Sequence, residues 1–235
     1  MKLAIIGAGE GSRLQAEGIR VPKPLVPING VPIIERIIRI AQQNNIECIH
    51  LIVNDAFGIV KDYVASLHVS IPIQCRLLST PSSMHTLFAL QSAVGHSPFC
   101  LTTVDSIFNA DEFASFLAFC RQNPQPHGIL AVTDFIDDEK PLCVTLDEEN
   151  TILAFHDSSE TCTWATGGIY YFSPLIFNET TRALNAGMTR LRNFLRLLID
   201  RGYLLKAFPF SKIIDVDHAA DIRKAEAFLN ETESE

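Results

Sequence analysis

The residues whose types and spacing could do chemistry lie near the start of the chain: Gly7-Ala8-Gly9-Glu10-Gly11-Ser12-Arg13-Leu14 and, after a short loop, Pro22-Lys23-Pro24-Leu25. Glycines directly behind an apolar strand let the main chain approach a ligand closely and adopt positive φ, so several N–H groups can converge on phosphate oxygens. Arg13 offers a planar fork that can chelate a phosphate, and Lys23 a compact point charge able to follow a phosphoryl group as it reacts. Prolines on both sides of Lys23 restrict the backbone that carries it. A glycine turn after a strand is common in itself; the two basic residues beside it are what point to a polyphosphate.

Two other glycine motifs fail on spacing. The dinucleotide fingerprint G-x-G-x-x-G needs a glycine where Ser12 stands, and an acidic residue about 20 positions further on, whereas the second strand ends only at Asp55. The Walker A pattern is absent, because no lysine follows the glycines directly. Among the carboxylates, Asp105 follows Thr102-Thr103-Val104 at a strand end, and Asp215 and Asp217 alternate on an extended segment, which puts both on one face. Each also has an ordinary structural reading: Asp105 in a turn or cap, Asp217 capping the last helix, Asp215 in the framework.

Positioning these groups requires a regular frame. Lys2 to Ile6 reads as a buried parallel strand that stops at the glycines. From Pro32, placed in a first helical turn, Ile33, Ile34, Ile37, Ile38 and Ala41 recur at helical spacing. Cys48 to Val53 reads as a strand, Phe57 to Leu67 as a helix and Ile71 to Leu78 as a strand; a helix capped by Ser83 and a strand over Phe99 to Val104 follow. That β-α-β rhythm predicts a mainly parallel sheet with helices on both faces and a ligand crevice at the carboxyl ends of the strands, where both the glycine turn and Asp105 fall. Further on, Gly128 to Phe135 and Ala165 to Phe172 read as strands, and Leu142 to Leu146 with Thr151 to Phe155 as a hairpin closed by Asp147-Glu148-Glu149-Asn150. Helices around Leu184 and through Leu191 to Ile199, the latter stopped by Gly202, precede short strands over Leu204 to Phe208 and Ile213 to Val216 and a last helix from Ala219 to Leu229.

With 235 residues and 47% hydrophobic composition, the chain suits one large α/β domain over residues 1–229, with residues 230–235 as a frayed polar tail. No apolar run is long enough for a membrane-spanning helix, and Gly7 cuts the only candidate for a leader, so a cytoplasmic location is expected. Six cysteines without a C-x-x-C pair read as reduced core thiols, with neither a disulfide framework nor a zinc site. A net charge of −8 argues against a broad nucleic-acid-binding face, yet leaves room for a polyphosphate held by a few concentrated cations and a metal ion.

Gly9-x-Gly11-Ser12-Arg13-Leu14 together with Pro22-Lys23-Pro24-Leu25 resembles the signature of the nucleoside-diphosphate-sugar pyrophosphorylases, the sugar-phosphate nucleotidyltransferase family. The resemblance extends along most of the chain through Asp105, Gly168-Ile169-Tyr170, and Asp215-Val216-Asp217 ahead of a helix containing Asp221. It implies a single Rossmann-like, GT-A-like α/β domain with a mixed, mainly parallel sheet, and a Mg²⁺-dependent attack of a small acceptor's phosphate, a sugar 1-phosphate, on a nucleoside triphosphate with release of pyrophosphate. An acceptor phosphate is already anionic, so positioning and charge neutralisation would carry the reaction. Carried onto this sequence, Ala8, Gly9, Gly11 and Ser12 would cradle the nucleotide, Arg13 would hold the leaving pyrophosphate and Lys23 would stabilise the α-phosphoryl. The metal would rest on Asp105 and on either Asp217 or Asp215. Ser82 and Ser83 could bind the base or ribose, or cap a helix. Trp164, Thr166 and Gly168 would face the acceptor, with Trp164 stacking on a sugar, enclosing a quaternary ammonium or packing in the core.

The chain departs from the family on the acceptor side: Phe155-His156-Asp157-Ser158-Ser159 stands where many relatives carry a Glu-Lys-Pro, and Thr80-Pro81-Ser82-Ser83-Met84-His85-Thr86 replaces a glycine-threonine stretch. His85 and His156 receive no role from position alone. A cytidylyltransferase for choline phosphate or another phosphorylated alcohol is the nearest alternative, and a non-catalytic nucleotide-binding regulatory domain the next. A single activity is expected, since there is no length for a second catalytic domain. The nucleobase, the acceptor and the oligomeric state are left open.

Overall fold

The computed structural model describes residues 1–157 and 162–232; Ser158 and Ser159 of the departing stretch lie outside them. In chain order the elements are β1 (Lys2–Gly7), α1 (Ser12–Ala16), a 3-10 turn at Lys23–Leu25, β2 (Pro27–Ile28), β3 (Val31–Pro32), α2 (Ile33–Gln43), β4 (Ile49–Val53), α3 (Gly58–Ser66), β5 (Ile73–Leu77) and α4 (Ser83–Ala89). There follow α5 (Gln91–Val94), β6 (Phe99–Thr103), β7 (Ser106–Phe108), α6 (Ala110–Gln122), β8 (Gly128–Thr133), β9 (Cys143–Leu146), β10 (Ile152–His156) and β11 (Trp164–Phe172). A 3-10 segment at Pro174–Glu179, α7 (Thr180–Asn185), α8 (Leu191–Asp200), β12 (Leu205–Pro209), β13 (Ile213–Asp215) and α9 (Ala219–Thr232) complete the described chain.

β1 runs parallel to β4 on one side and to β6 on the other, and β4 runs parallel to β5. Such strands are covered on both faces, and the residues of β1 alternate accordingly. Leu3 and Ile5 join a core with Ile37 and Ile38 of α2, Phe113 and Phe116 of α6 and Phe228 of α9. Ala4 and Ile6 join a second core with Met84 and Leu87 of α4 and Phe194, Leu195 and Leu198 of α8. Beyond β6 the sheet becomes mixed: β11 is antiparallel to β6, β8 and β9, while β12 runs parallel to β8.

β11 carries an irregularity that matters for the site. Its register against β8 shifts between Thr166 and Tyr170, where Gly167-Gly168 interrupt the strand, and Gly168 adopts φ +74. A Cβ at Gly168 would fall 2.4 Å from Ser106 Oγ and 2.5 Å from Thr103 Oγ1, so glycine is required there for both conformation and space.

The expected mixed α/β architecture is the one observed, with corrections in detail. Pro32 occupies the N-cap of α2 instead of its first turn. The N-cap of α4 is Ser82, not Ser83, and its hydroxyl meets His85 Nδ1 at 2.9 Å in place of a backbone N–H. Trp164 opens β11, and α9 runs on through Asn230 to Thr232, so the part of the tail that is described is helical, not frayed. Helix α6, capped by Asn109 Oδ1 accepting from the Asp111 and Glu112 amides, was not anticipated. Cys143 and Cys162 are joined by a disulfide, contrary to the expectation of reduced thiols throughout. The pairing of β9 with β11 brings these two distant cysteines to a Cα separation of 5.6 Å, a proximity that sequence spacing does not announce. Among the described residues no helix is long and apolar enough to cross a membrane.

Candidate active site

The glycine turn begins where β1 ends. Gly11 takes φ +66 as the N-cap of α1, and a Cβ there would lie 3.3 Å from Lys23 Cβ, so the turn and the lysine backbone stand side by side. Lys23 opens a 3-10 turn that Pro22 precedes and the buried Pro24 anchors. Asn54, at the end of β4, supports the turn: its side-chain amide donates to the Ala8 carbonyl at 3.1 Å and its Oδ1 accepts from the Ala56 amide at 3.0 Å.

The carboxylates reach this point from the far side. β13 pairs antiparallel with β7, which sets Asp215 opposite Ser106, and the Ser106 hydroxyl donates to Asp215 Oδ1 at 2.9 Å. The Val216 amide donates to the Asp105 carbonyl at 3.0 Å, tying the two acidic segments together. Lys23 Nζ then donates to Asp105 Oδ2 at 2.7 Å and to Asp217 Oδ1 at 2.5 Å, and Arg13 Nη1 donates to Asp217 Oδ2 at 2.7 Å. Asp217 caps nothing: the Asp221 carboxylate accepts the Asp217 and His218 amides at 3.2 and 2.8 Å ahead of α9.

Electrostatics follow from this geometry. Burial by itself would lower the Lys23 pKa, but the charges of Asp105 and Asp217 outweigh it and hold the ammonium above its ordinary value. Burial works to raise Asp105, and the adjacent Lys23 charge and hydrogen bond bring it below the usual carboxylate range. Asp215 is pushed up to about 7, first by burial and then by the negative charge of Asp105.

Two cavities meet here. The first, about 530 Å³, is walled by the glycine turn, Ser79 to Ser83 and Thr103 to Asp105, with Arg13, Lys23 and Asp217 at its edge. It gathers Ala8, Gly9, Gly11, Ser12, Arg13, Lys23, Ser82, Ser83, Asp105 and Asp217, every residue the sequence assigned to the nucleotide or the chemistry, together with one of the two alternative acidic residues. The second, about 380 Å³, shares Arg13, Ser83, Thr103, Asp105 and Asp217 with the first and adds Asp215, Thr166 and Gly168. Trp164 lines neither; it is half-buried and packs against the second core. Unforeseen in the second wall are Lys140, Arg190 and Arg192, and in the first Asn54 and Thr103. Asn54 stands at a strand end facing the crevice, the position from which Asp105 was picked out; Arg190 and Arg192 belong to a Thr-Arg-Leu-Arg run whose direction no local pattern sets.

The family model of the MobA-like NTP transferase domain matches residues 3–195. The chain belongs to this family. The match takes in the glycine turn, Lys23, Asp105 and the start of α8, and leaves Asp215 and Asp217 beyond its end. The "Bifunctional protein GlmU" of Methanococcus aeolicus is 25% identical over 85% of this chain, which spans about half of that protein, 47%. A D-glycero-alpha-D-manno-heptose 1-phosphate guanylyltransferase of Campylobacter jejuni is 23% identical over 76% of this chain and 79% of its own. In fold the chain is similar to the inositol-1-phosphate CTP transferase from T. maritima, with a TM-score of 0.81 over 99% of this chain and 96% of the other at 18% identity. The MobA-like NTP transferase domain is thus a nucleotidyltransferase domain built on a Rossmann-like mixed sheet.

Proposed function

We propose that this NTP transferase domain joins a nucleoside triphosphate to a sugar 1-phosphate, giving a nucleoside-diphosphate sugar and pyrophosphate. The observation that carries the reading is the Lys23 ammonium, held between Asp105 and Asp217 at the edge of a glycine-walled cavity that opens into a second one. The first cavity would take the triphosphate, with main-chain N–H groups of the glycine turn against its oxygens and Ser82 and Ser83 toward the base or ribose. The second would take the acceptor, in contact with Thr166 and Gly168. Its phosphate oxygen would attack the α-phosphorus in line while pyrophosphate leaves on the opposite side. Lys23 would release its carboxylates to meet charge at the α-phosphoryl, and Arg13 would hold the departing pyrophosphate. No side chain need accept a proton, because the nucleophile enters as an anion.

Magnesium fits the donor set. Asp105 and Asp217 converge on one cationic point, the Lys23 ammonium, and Asp215 adds a third carboxylate to the adjoining wall. Among the described residues no group of three or more acidic, histidine or cysteine side chains is preassembled around a metal position, so the remaining ligands would be triphosphate oxygens and water. Asp105 and Asp217 would hold the ion, which would neutralise charge on the phosphates. Support for sugar phosphates as acceptors comes from the named activity of the Campylobacter relative. The test is pyrophosphate release over a matrix of nucleoside triphosphates and phosphorylated acceptors, with Mg²⁺ and with a chelator. Turnover with a sugar 1-phosphate that disappears on chelation is expected; turnover with choline phosphate alone would overturn the sugar reading, and no release with any pair would overturn the catalytic one.

A further inference from the structure

We propose that Glu17 is a positioning residue, which keeps the Asp217 carboxylate in place beside the glycine turn while a metal-bound polyphosphate enters. The inference rests on the proposed function, in which Asp105 and Asp217 hold the ion. Glu17 is the C-cap of α1, and its amide donates to the Arg13 carbonyl at 3.1 Å, so it stands one helical turn beyond Arg13. Across 201 residues of chain, Glu17 Oε1 meets His218 Nδ1 at 2.6 Å, and Glu17 Oε2 accepts from the Ala219 amide at 2.6 Å. An ionised carboxylate only accepts, so Nδ1 is a ring nitrogen that carries a proton. The other ring nitrogen lies 3.7 Å from Glu139 Oε1, too far for a hydrogen bond, which leaves Glu17 as the residue that fixes the ring. The two oxygens of one side chain thus grip the two residues that follow Asp217. Glu17 lines neither cavity, so whatever it does for a ligand it does through that segment.

Other attachments hold the same segment to its own side of the site. The Val216 amide donates to the Asp105 carbonyl, and the Asp217 and His218 amides donate to the Asp221 carboxylate of α9. None of these reaches α1. Among the described residues, α1 and its cap reach the segment by hydrogen bonds from two side chains, Arg13 to Asp217 Oδ2 at 2.7 Å and Glu17 to His218 and Ala219. The first link cannot last through the reaction, because Arg13 turns to the pyrophosphate and Lys23, now on Asp217 Oδ1, turns to the α-phosphoryl. Glu17 and its two partners take no part in the chemistry, so their bonds persist while Asp217 exchanges its cationic neighbours for the ion. The anionic Glu17 also sits favourably at the N-terminus of α9. A segment held in advance removes an ordering cost from metal binding.

The test reads binding as well as turnover. Inorganic tripolyphosphate is titrated against the whole chain by calorimetry, once with Mg²⁺ and once with a chelator. Glu17→Ala removes both hydrogen bonds and is expected to weaken the magnesium complex about tenfold while leaving metal-free tripolyphosphate within about twofold. Glu17→Gln, which keeps one acceptor oxygen, should fall between parent and alanine variant. On an Asp217→Asn background the effect of Glu17→Ala should vanish, since no carboxylate is left to position, whereas a purely structural contribution would add to that of Asp217→Asn. In pyrophosphate release the half-saturating Mg²⁺ concentration should rise about tenfold, and the KM for the acceptor should stay within about twofold. Glu17 is exposed, so the variants should melt close to the parent, which thermal denaturation checks; if Glu17→Ala melts early, Glu17→Gln takes its place in the same cycle. An equal loss with and without Mg²⁺, additive losses in the double variant, or an unchanged magnesium complex would each overturn the role of Glu17 and leave the proposed function standing. A parent that binds no magnesium tripolyphosphate would overturn the proposed function, and this inference with it.

Discussion

Replacing Lys23 by methionine would leave Asp105 and Asp217 facing each other across the space the ammonium now occupies. Two consequences are expected. Turnover should fall by about 10²- to 10³-fold, the usual cost of deleting one preorganised charge at a reacting centre, as measured by pyrophosphate release. The metal-free protein should also lose about 1–3 kcal/mol of stability in urea denaturation, because Asp105 loses its cationic partner while Asp217 keeps Arg13, and recover part of it when Mg²⁺ is added. Gly168 makes a different point at the same scale. Its left-handed φ of +74 and the hydroxyls 2.4 and 2.5 Å from a would-be Cβ make Gly168→Ala destabilising by about 2–4 kcal/mol, read as a shift in the urea midpoint. Both residues were visible in the sequence, Lys23 by its prolines and Gly168 by its strand setting. Which groups they touch was not, because Asp217 lies 194 residues from Lys23.

Between elements, the second cavity is built by attachments that no periodicity encodes. Helix α8 is recognisable from its apolar face, yet its Arg192 and Arg196 find partners only because Asp157, just past β10, and the Lys140 carbonyl lie within reach. The Asp157 cluster gives stability a definite pH dependence. Its folded-state pKa of about 2 lies below the ordinary 3.8, so its contribution is present above pH 3.8 and is lost as pH falls through about 2. The carboxylate is 62% exposed, so that contribution should stay below about 1 kcal/mol. Urea titrations of parent and Asp157→Asn between pH 2 and pH 5 should converge at the acid end and separate toward pH 5. The Cys143–Cys162 disulfide belongs to the same group of features: strand pairing creates it, and scattered cysteines gave no sign of it.

Across the whole molecule, the site is where both halves of the chain meet. Gly11 and Lys23 come from the first segment, Asp105 from beyond the central strand, and Asp217 from behind β13. A ligand seated among them should stabilise the fold as a unit: inorganic tripolyphosphate with Mg²⁺ at a hundred times its Kd should add about 2.7 kcal/mol, seen as a rise in Tm that Lys23→Met diminishes. The sequence by itself determined the strand-then-glycine opening, the parallel half of the sheet, the hairpin and the residues of the glycine turn that line the first cavity, because hydrophobic period, turn residues and local charge are short-range properties. Tertiary structure alone decided that Asp217 joins Lys23 while Asp221 caps α9, that Trp164 packs against the core, and that Lys140 and Arg190 line the same cavity as Thr166. Those outcomes depend on which residues are brought within about 3 Å of one another by the packing of the sheet against its two cores, and such separations are not written in any local stretch of chain.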